Sequence, residues 1–132
     1  MPAFWTRDRV ADALLPLAAG ALPRGPARLG RICTDTRTIR PGDCFVALAG
    51  ERFDAHAFLG DAVSRGAAAL VVSRADAAAR AGVPVYVVRD TLEALGALAR
   101  YRRRAWNGPV IAIAGSNGKT TTKELIRSAL GA

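Results

Sequence analysis

Gly115, Ser116, Asn117, Gly118, Lys119, Thr120 and Thr121 carry, in one unbroken run, the groups that a polyphosphate needs. A phosphate chain is held by inward-turned backbone N–H groups, the positive end of a helix dipole, a mobile cation and a hydroxyl that can ligate Mg²⁺. Gly115 and Gly118 leave no Cβ where the backbone must bend around the anion, and Ser116 and Asn117 are polar turn residues. Lys119 can reach terminal phosphates and Thr120 can ligate the metal. The run is shorter than the common phosphate-loop pattern, because Ile113 stands where that pattern has its first glycine. A plain strand-to-helix turn with Lys119 as a surface cation is the competing reading. Phosphate binding requires a strand before the loop and a helix after it, expected at residues 110–114 and from Lys119 onward.

A second group of chemical side chains lies near the start. Asp35, Thr36 and Arg37 place a carboxylate, a hydroxyl and a guanidinium in succession, while Arg52, Phe53 and His56 add a cation, an aromatic face and an imidazole. Such a set suits a ligand with a ring and phosphates. By residue type alone the plainer alternative has the advantage: Asp, Thr and Arg loops commonly cap turns, and His56 can simply open a helix.

These residues must be positioned by the elements around them. Residues 28–34, 43–49, 68–73 and 84–88 read as strands, and the β-branched runs Val71-Val72 and Val85 to Val88 are of the kind buried in parallel sheets. Between and around them, residues 6–17, 56–65, 75–81 and 91–106 read as helices. Thr6 is the expected cap of the first, Pro16 ends it or sits in its last turn, and residues 20–26 form a loop. Asp90 or Thr91 caps the longest helix, and Asn107, Gly108 and Pro109 terminate it. The alternation predicts an α/β fold: a small mixed α/β substrate-binding domain over residues 1–107, then the first strand, phosphate loop and helix of a truncated ATPase-type domain over residues 108–132. A lone strand–helix unit cannot bury both faces of a sheet, so the chain is expected to be the amino-terminal portion of a longer enzyme, inactive by itself.

Composition agrees with one domain and a piece of another. The chain has 132 residues, 51% of them hydrophobic, which is enough for one core and excludes a disordered protein. Its net charge of +8 is carried mostly by arginine. Arg100, Arg103 and Arg104 share a helix face, read as a solvated face and not as a nucleic-acid patch, since no aromatic-interleaved basic stripe accompanies them. Cys33 and Cys44 lack metal or redox spacing and read as buried thiols. The opening residues lack a leader pattern and no run reaches membrane-spanning length, so a soluble, cytoplasmic monomer that binds no nucleic acid is expected.

The chain resembles the Mur ligase family, the ATP-dependent amide ligases of peptidoglycan precursor synthesis. The similarity runs through residues 34–37, 41–48, 50–58 and 65–70, which look like the amino-terminal substrate domain of the family's later members, and through residues 115–124, which look like their ATP loop. Residues 50–56 and the Lys123-Glu124 pair are most similar to the members that add D-alanyl-D-alanine to UDP-N-acetylmuramoyl-tripeptide. The sibling that adds the third amino acid tends to carry glycine where this chain has Ala55. The resemblance implies that ATP phosphorylates the tripeptide carboxylate and that the D-alanyl-D-alanine amine attacks the acyl phosphate. It implies ATP on residues 115–121, Mg²⁺ held partly by Thr120, and the UDP end on Thr36 and Arg37, with Asp35, Arg52, Phe53 and His56 behind them. No catalytic residue is expected within this chain. The alternatives are the sibling ligase that adds the third amino acid to UDP-N-acetylmuramoyl-dipeptide, another ligase with the same short loop, such as the folylpolyglutamate or cyanophycin type, a non-catalytic nucleotide-sugar binding module, and a basic nucleic-acid binder.

Overall fold

Four short apolar runs pair side by side and in parallel: β1 (Ile32–Cys33), β2 (Cys44–Val46), β3 (Ala69–Val72) and β4 (Val85–Val87), in that spatial order. The computed structural model describes residues 3–131, apart from the side chain of Ala78. Phe45 lies opposite Leu70, and Leu70 opposite Val85. Side chains alternate between the faces of a strand, so this register sorts the core into two halves. Cys44, Val46, Ala69, Val71 and Tyr86 face one way, against Val10 and Leu14 of helix α1 (Arg7–Leu14) and Ala94 and Leu98 of helix α3 (Thr91–Trp106). Phe45, Ala47, Leu70 and Val72 face the other way, against Ala55 and against Ala62 of helix α2 (Leu59–Ser64). Both faces are therefore covered, which accounts for the unbroken apolar character of β2 and β3.

The strands advance in one direction because the links between them lie on one face. Ile39, Ala62 and Ala77, one from each link, all pack in the second half of the core. Crossovers of the same right hand on the same face shift the chain one strand onward each time.

The helix ends follow side-chain chemistry. Thr6 Oγ1 accepts the Arg9 N–H at 3.2 Å to start α1. Pro16 sits in the 3-10 turn Leu15–Leu17 that finishes this segment. Asp90 Oδ1 accepts the Glu93 N–H at 2.8 Å, so Asp90 is the cap of α3, and Asn107 ends it in the left-handed conformation at φ 49°. Cys33 and Cys44 are free buried thiols, and burial pushes the Cys44 thiol up to about 12.

Four expectations need correction. The strands are shorter than the apolar runs that announced them. Residues 56–65 split into the 3-10 turn Ala55–Phe58 and α2, and residues 75–81 form the 3-10 helix Ala75–Arg80 in place of an α-helix. Residues 110–114 form no strand; Val110 and Ile111 are exposed. A strand exists through ladder partners, and among the described residues the sheet of β1 to β4 provides none for this segment.

One buried carboxylate fixes the link between β1 and β2. Asp43 is 2% exposed and accepts the backbone N–H groups of Arg31 at 2.8 Å and Arg40 at 3.0 Å. The Arg31 guanidinium reaches its Oδ2 at 2.7 Å and donates to the Thr38 carbonyl at 2.8 Å. Gly30 is required beside it, since a Cβ there would lie 2.7 Å from Asp43 Oδ1. Burial opposes the charge, but Arg31 and the two amides outweigh it and hold the Asp43 carboxyl below its ordinary range. Replacing Asp43 with Ala leaves two amides without an acceptor while Arg31 stays solvated, so about 2–3 kcal/mol of stability should be lost. Urea unfolding should show a lower midpoint with an unchanged slope, and a loss under about 0.5 kcal/mol would contradict this assignment.

Candidate functional site

The loops that leave β1 and β2 at their carboxyl ends enclose a cleft of about 640 Å³. In open parallel sheets this is the end where ligands collect. Thr34, Asp35, Thr36 and Arg37 form one wall, Phe53, Ala55, Phe58 and Asp61 the other, and Phe45 of β2 also lines it. One wall thus carries the Asp35–Arg37 ion pair, and the other carries two aromatic rings beside the Asp61 carboxylate.

Asp35 builds the first wall. Its Oδ1 accepts the Arg37 N–H at 2.9 Å, which caps the single 3-10 turn Thr36–Thr38. The same carboxylate takes the Arg37 guanidinium side-on, with Nε to Oδ1 at 2.9 Å and Nη2 to Oδ2 at 2.7 Å. A guanidinium has five N–H donors, so this pairing leaves Nη1 and one hydrogen of Nη2 for another anion. Arg37 is accordingly held in place yet solvent-facing. Its guanidinium, followed by its backbone N–H, holds the Asp35 carboxyl down at about 2.

The opposite wall is aromatic. Phe53 and Phe58 stack with ring centroids 5.6 Å apart and planes at 15°, and both remain exposed. Exposed, nearly parallel rings at a cleft offer a planar surface to a ring-bearing ligand.

Of the residues expected to hold the UDP end, Asp35, Thr36, Arg37 and Phe53 come together. Arg52 is exposed and does not line the cleft, and the His56 ring turns away into the protein, where it is 3% exposed and hydrogen-bonded to Asp54 and to Ser73. Phe45 and Phe58 were not anticipated. Phe53 and Phe58, two rings flanking residues 54–57, are a signal that could have found the second ring; Phe45, fully buried beneath the cleft, has no local signature.

At the other end of the chain, Gly115 (φ 146°) and Gly118 (φ 76°) take conformations that side-chain-bearing residues rarely adopt. Helix α4 (Lys119–Ala129) starts immediately afterwards, and Gly118 provides no side-chain cap, so its first amides stay open. Lys119 and Thr120 border a hollow of about 280 Å³ together with Ile111, Ile113 and Lys123. The required helix is present and the required strand is not. Among the described residues no group of three His, Cys, Asp or Glu side chains converges as a metal site.

Residues 29–103 match the family model described as Mur ligase family, catalytic domain. The chain belongs to the Mur ligase family. A Mur ligase of Synechocystis, named UDP-N-acetylmuramoyl-tripeptide–D-alanyl-D-alanine ligase, is 45% identical over 103 residues, which is 78% of this chain and 23% of that protein. The solved structure of the Acinetobacter baumannii UDP-N-acetylmuramoylalanyl-D-glutamyl-2,6-diaminopimelate–D-alanyl-D-alanyl ligase is 40% identical, with TM-score 0.80 over 96% of this chain and 28% of that one. The Thermotoga maritima MurF ligase, solved in complex with ADP, is 35% identical, with TM-score 0.64 over 76% of this chain and 23% of that one. The chain thus spans about a quarter of the length of the Mur ligases it matches. The matched stretch 29–103 contains the whole cleft and stops short of the glycine loop.

A depressed carboxyl pKa adds stability that is complete above the ordinary value of 3.8 and disappears as pH falls through about 2. Followed by carbon NMR, Asp35 should titrate near 2, and Arg37→Gln should bring the midpoint back toward 3.8. A midpoint that the substitution does not move would show that Arg37 is not its partner in solution.

Proposed function

We propose that this chain is the amino-terminal portion of an ATP-dependent amide ligase that joins D-alanyl-D-alanine to UDP-N-acetylmuramoyl-tripeptide. The reading rests chiefly on the cleft, where a guanidinium oriented by Asp35 stands opposite two stacked rings, as a nucleoside diphosphate requires. The names of the matched Mur ligases supply the reaction, and the ADP complex of the Thermotoga maritima ligase supports a nucleotide as the second ligand.

Within this reading residues 1–107 form the UDP-substrate domain and residues 108–132 begin the ATP domain. The diphosphate takes the free donors of Arg37 and the Thr36 hydroxyl, and the uracil lies against Phe53 and Phe58. Asp35 acts by holding Arg37, while Arg52 contributes long-range positive charge at most. The glycine loop meets part of what a phosphate chain needs: Gly115 and Gly118 take positive-φ conformations, the first amides of α4 are open and Lys119 stands beside them, although residues 110–114 form no strand. Residues 115–121 would hold ATP, and the Thr120 hydroxyl would take one position on Mg²⁺. ATP bound there supplies the phosphoryl group that activates the tripeptide carboxylate toward the amine of D-alanyl-D-alanine. Lys119 and the loop amides would offset charge on that group, each acting where the charge develops.

No helix among the described residues is long and apolar enough to cross a membrane. The proposed location is the cytoplasm and the proposed state is a monomer, with no membrane or nucleic-acid partner.

By calorimetry, Arg37→Ala should weaken UDP-N-acetylmuramoyl-tripeptide binding about tenfold to a hundredfold, the worth of a charge-assisted pair. Unchanged affinity would remove Arg37 from the site. In the whole ligase, Lys119→Ala should abolish ATP turnover with the fold intact, and near-normal turnover would refute the loop assignment.

A further inference from the structure

His56 is almost completely enclosed, yet it belongs to the short segment that carries the aromatic wall of the cleft. Phe53 lies three residues before it and Phe58 two residues after it. Its ring is flanked by two partners of fixed character. The Ser73 backbone N–H lies 3.0 Å from Nε2, and an amide nitrogen can only donate. Nε2 therefore carries the lone pair, and the ring proton sits on Nδ1, which donates to Asp54 Oδ1 at 2.7 Å.

Asp54 is itself committed. Its Oδ1 also accepts the His56 backbone N–H at 2.9 Å, and its Oδ2 pairs with Arg74 at 2.5 Å. These contacts, led by the His56 backbone amide and then the ring, keep the Asp54 carboxyl below its ordinary range, so it is a constant acceptor. The chain from Arg74 through Asp54 and His56 to Ser73 thereby joins the loop after β2 to the exit of β3. The rest of that loop is tied to itself: the Gly50 N–H donates to the Phe53 carbonyl at 2.7 Å, and the Ala55 N–H to the Leu48 carbonyl at 2.9 Å. Beside the packing of Ala55 in the second half of the core, the Phe53 to Phe58 segment would keep, without His56, only the exposed Asp54–Arg74 pair of this set as its polar link to the exit of β3.

We infer that His56 is a positioning residue, locked as the neutral Nδ1–H tautomer between Asp54 and Ser73, which fixes the Phe53–Phe58 wall of the substrate cleft without touching substrate. The inference rests on the proposed substrate site for its functional consequence, though not for the tautomer. It also accounts for a histidine at this position turning its ring away from the cleft.

The test uses this chain in two parts. Nitrogen NMR of the labelled imidazole should show an unprotonated Nε2 and a proton on Nδ1, and Phe53–Phe58 ring contacts should appear in the proton spectrum. His56→Gln keeps an acceptor within reach of the Ser73 N–H and should preserve those ring contacts and the affinity for UDP-N-acetylmuramoyl-tripeptide. His56→Leu should lose the ring contacts and weaken binding about tenfold, the equivalent of one buried hydrogen bond. A proton on Nε2 would overturn the inference, as would ring contacts that survive in His56→Leu or fail equally in both variants. Should His56→Leu not fold, the tautomer and the His56→Gln result decide the matter. Failure of the substrate-site reading is recognised separately: Arg37→Ala would then bind as wild type does, whatever the imidazole shows.

Discussion

A carboxylate that accepts backbone amides while pairing with an arginine is the interaction on which the functional end of this molecule depends. It occurs three times in the loops around the sheet: Asp35 with Arg37, Asp43 with Arg31, and Asp54 with Arg74. Loops at the ends of short parallel strands have few ladder partners, and their amides must find acceptors elsewhere. Each aspartate accepts one or two such bonds and is held below its ordinary range, Asp35 chiefly by Arg37, Asp43 by Arg31 and the amides against its burial, and Asp54 chiefly by the His56 amide and ring. Asp43 sets the path from β1 to β2, Asp35 shapes the turn that bears Arg37, and Asp54 anchors the segment that bears the two rings. The three differ in burial, from the enclosed Asp43 to the partly open Asp35, and so differ in what they contribute. The first is chiefly structural and the second chiefly orients a cation.

The same pattern explains part of the high arginine content. Arg31, Arg37 and Arg74 hold loops, while Arg9 and Arg102 lie over the Phe4 ring at 4.5 Å and 4.2 Å and Arg103 lies near Trp106. Many of these cations are thus engaged with the protein's own carboxylates and rings. The formal charge of +8 alone is a poor guide to a partner.

Local signals were legible in the sequence to the extent that the structure is built from local interactions. Helix α3 is readable residue by residue, because Asp90 at its start and Asn107, Gly108 and Pro109 at its end act through neighbours a few positions away. The four strands are visible as apolar runs, but their lengths depend on ladder partners distant in sequence. For that reason residues 110–114, as apolar as β3, are not a strand. The alanine-rich stretch Ala75–Arg80 has helical propensity without the length to complete an α-helix. Asp35, Thr36, Arg37 and Phe53, which line the cleft, stood out through the family resemblance, while by residue type alone turn capping was the stronger reading. The inward role of His56 could not be recognised, since its acceptor geometry is set by the amide of Ser73, seventeen positions on. The glycine loop was legible through the two positions whose backbone demands glycine.

The most direct examination of this account is a crystal structure of the chain bound to UDP-N-acetylmuramoyl-tripeptide. The account predicts the diphosphate on the outer donors of Arg37, with Asp35 still holding the inner edge, and the uracil against Phe53 and Phe58. A ligand seated elsewhere, with Arg37 and both rings facing solvent, would contradict it.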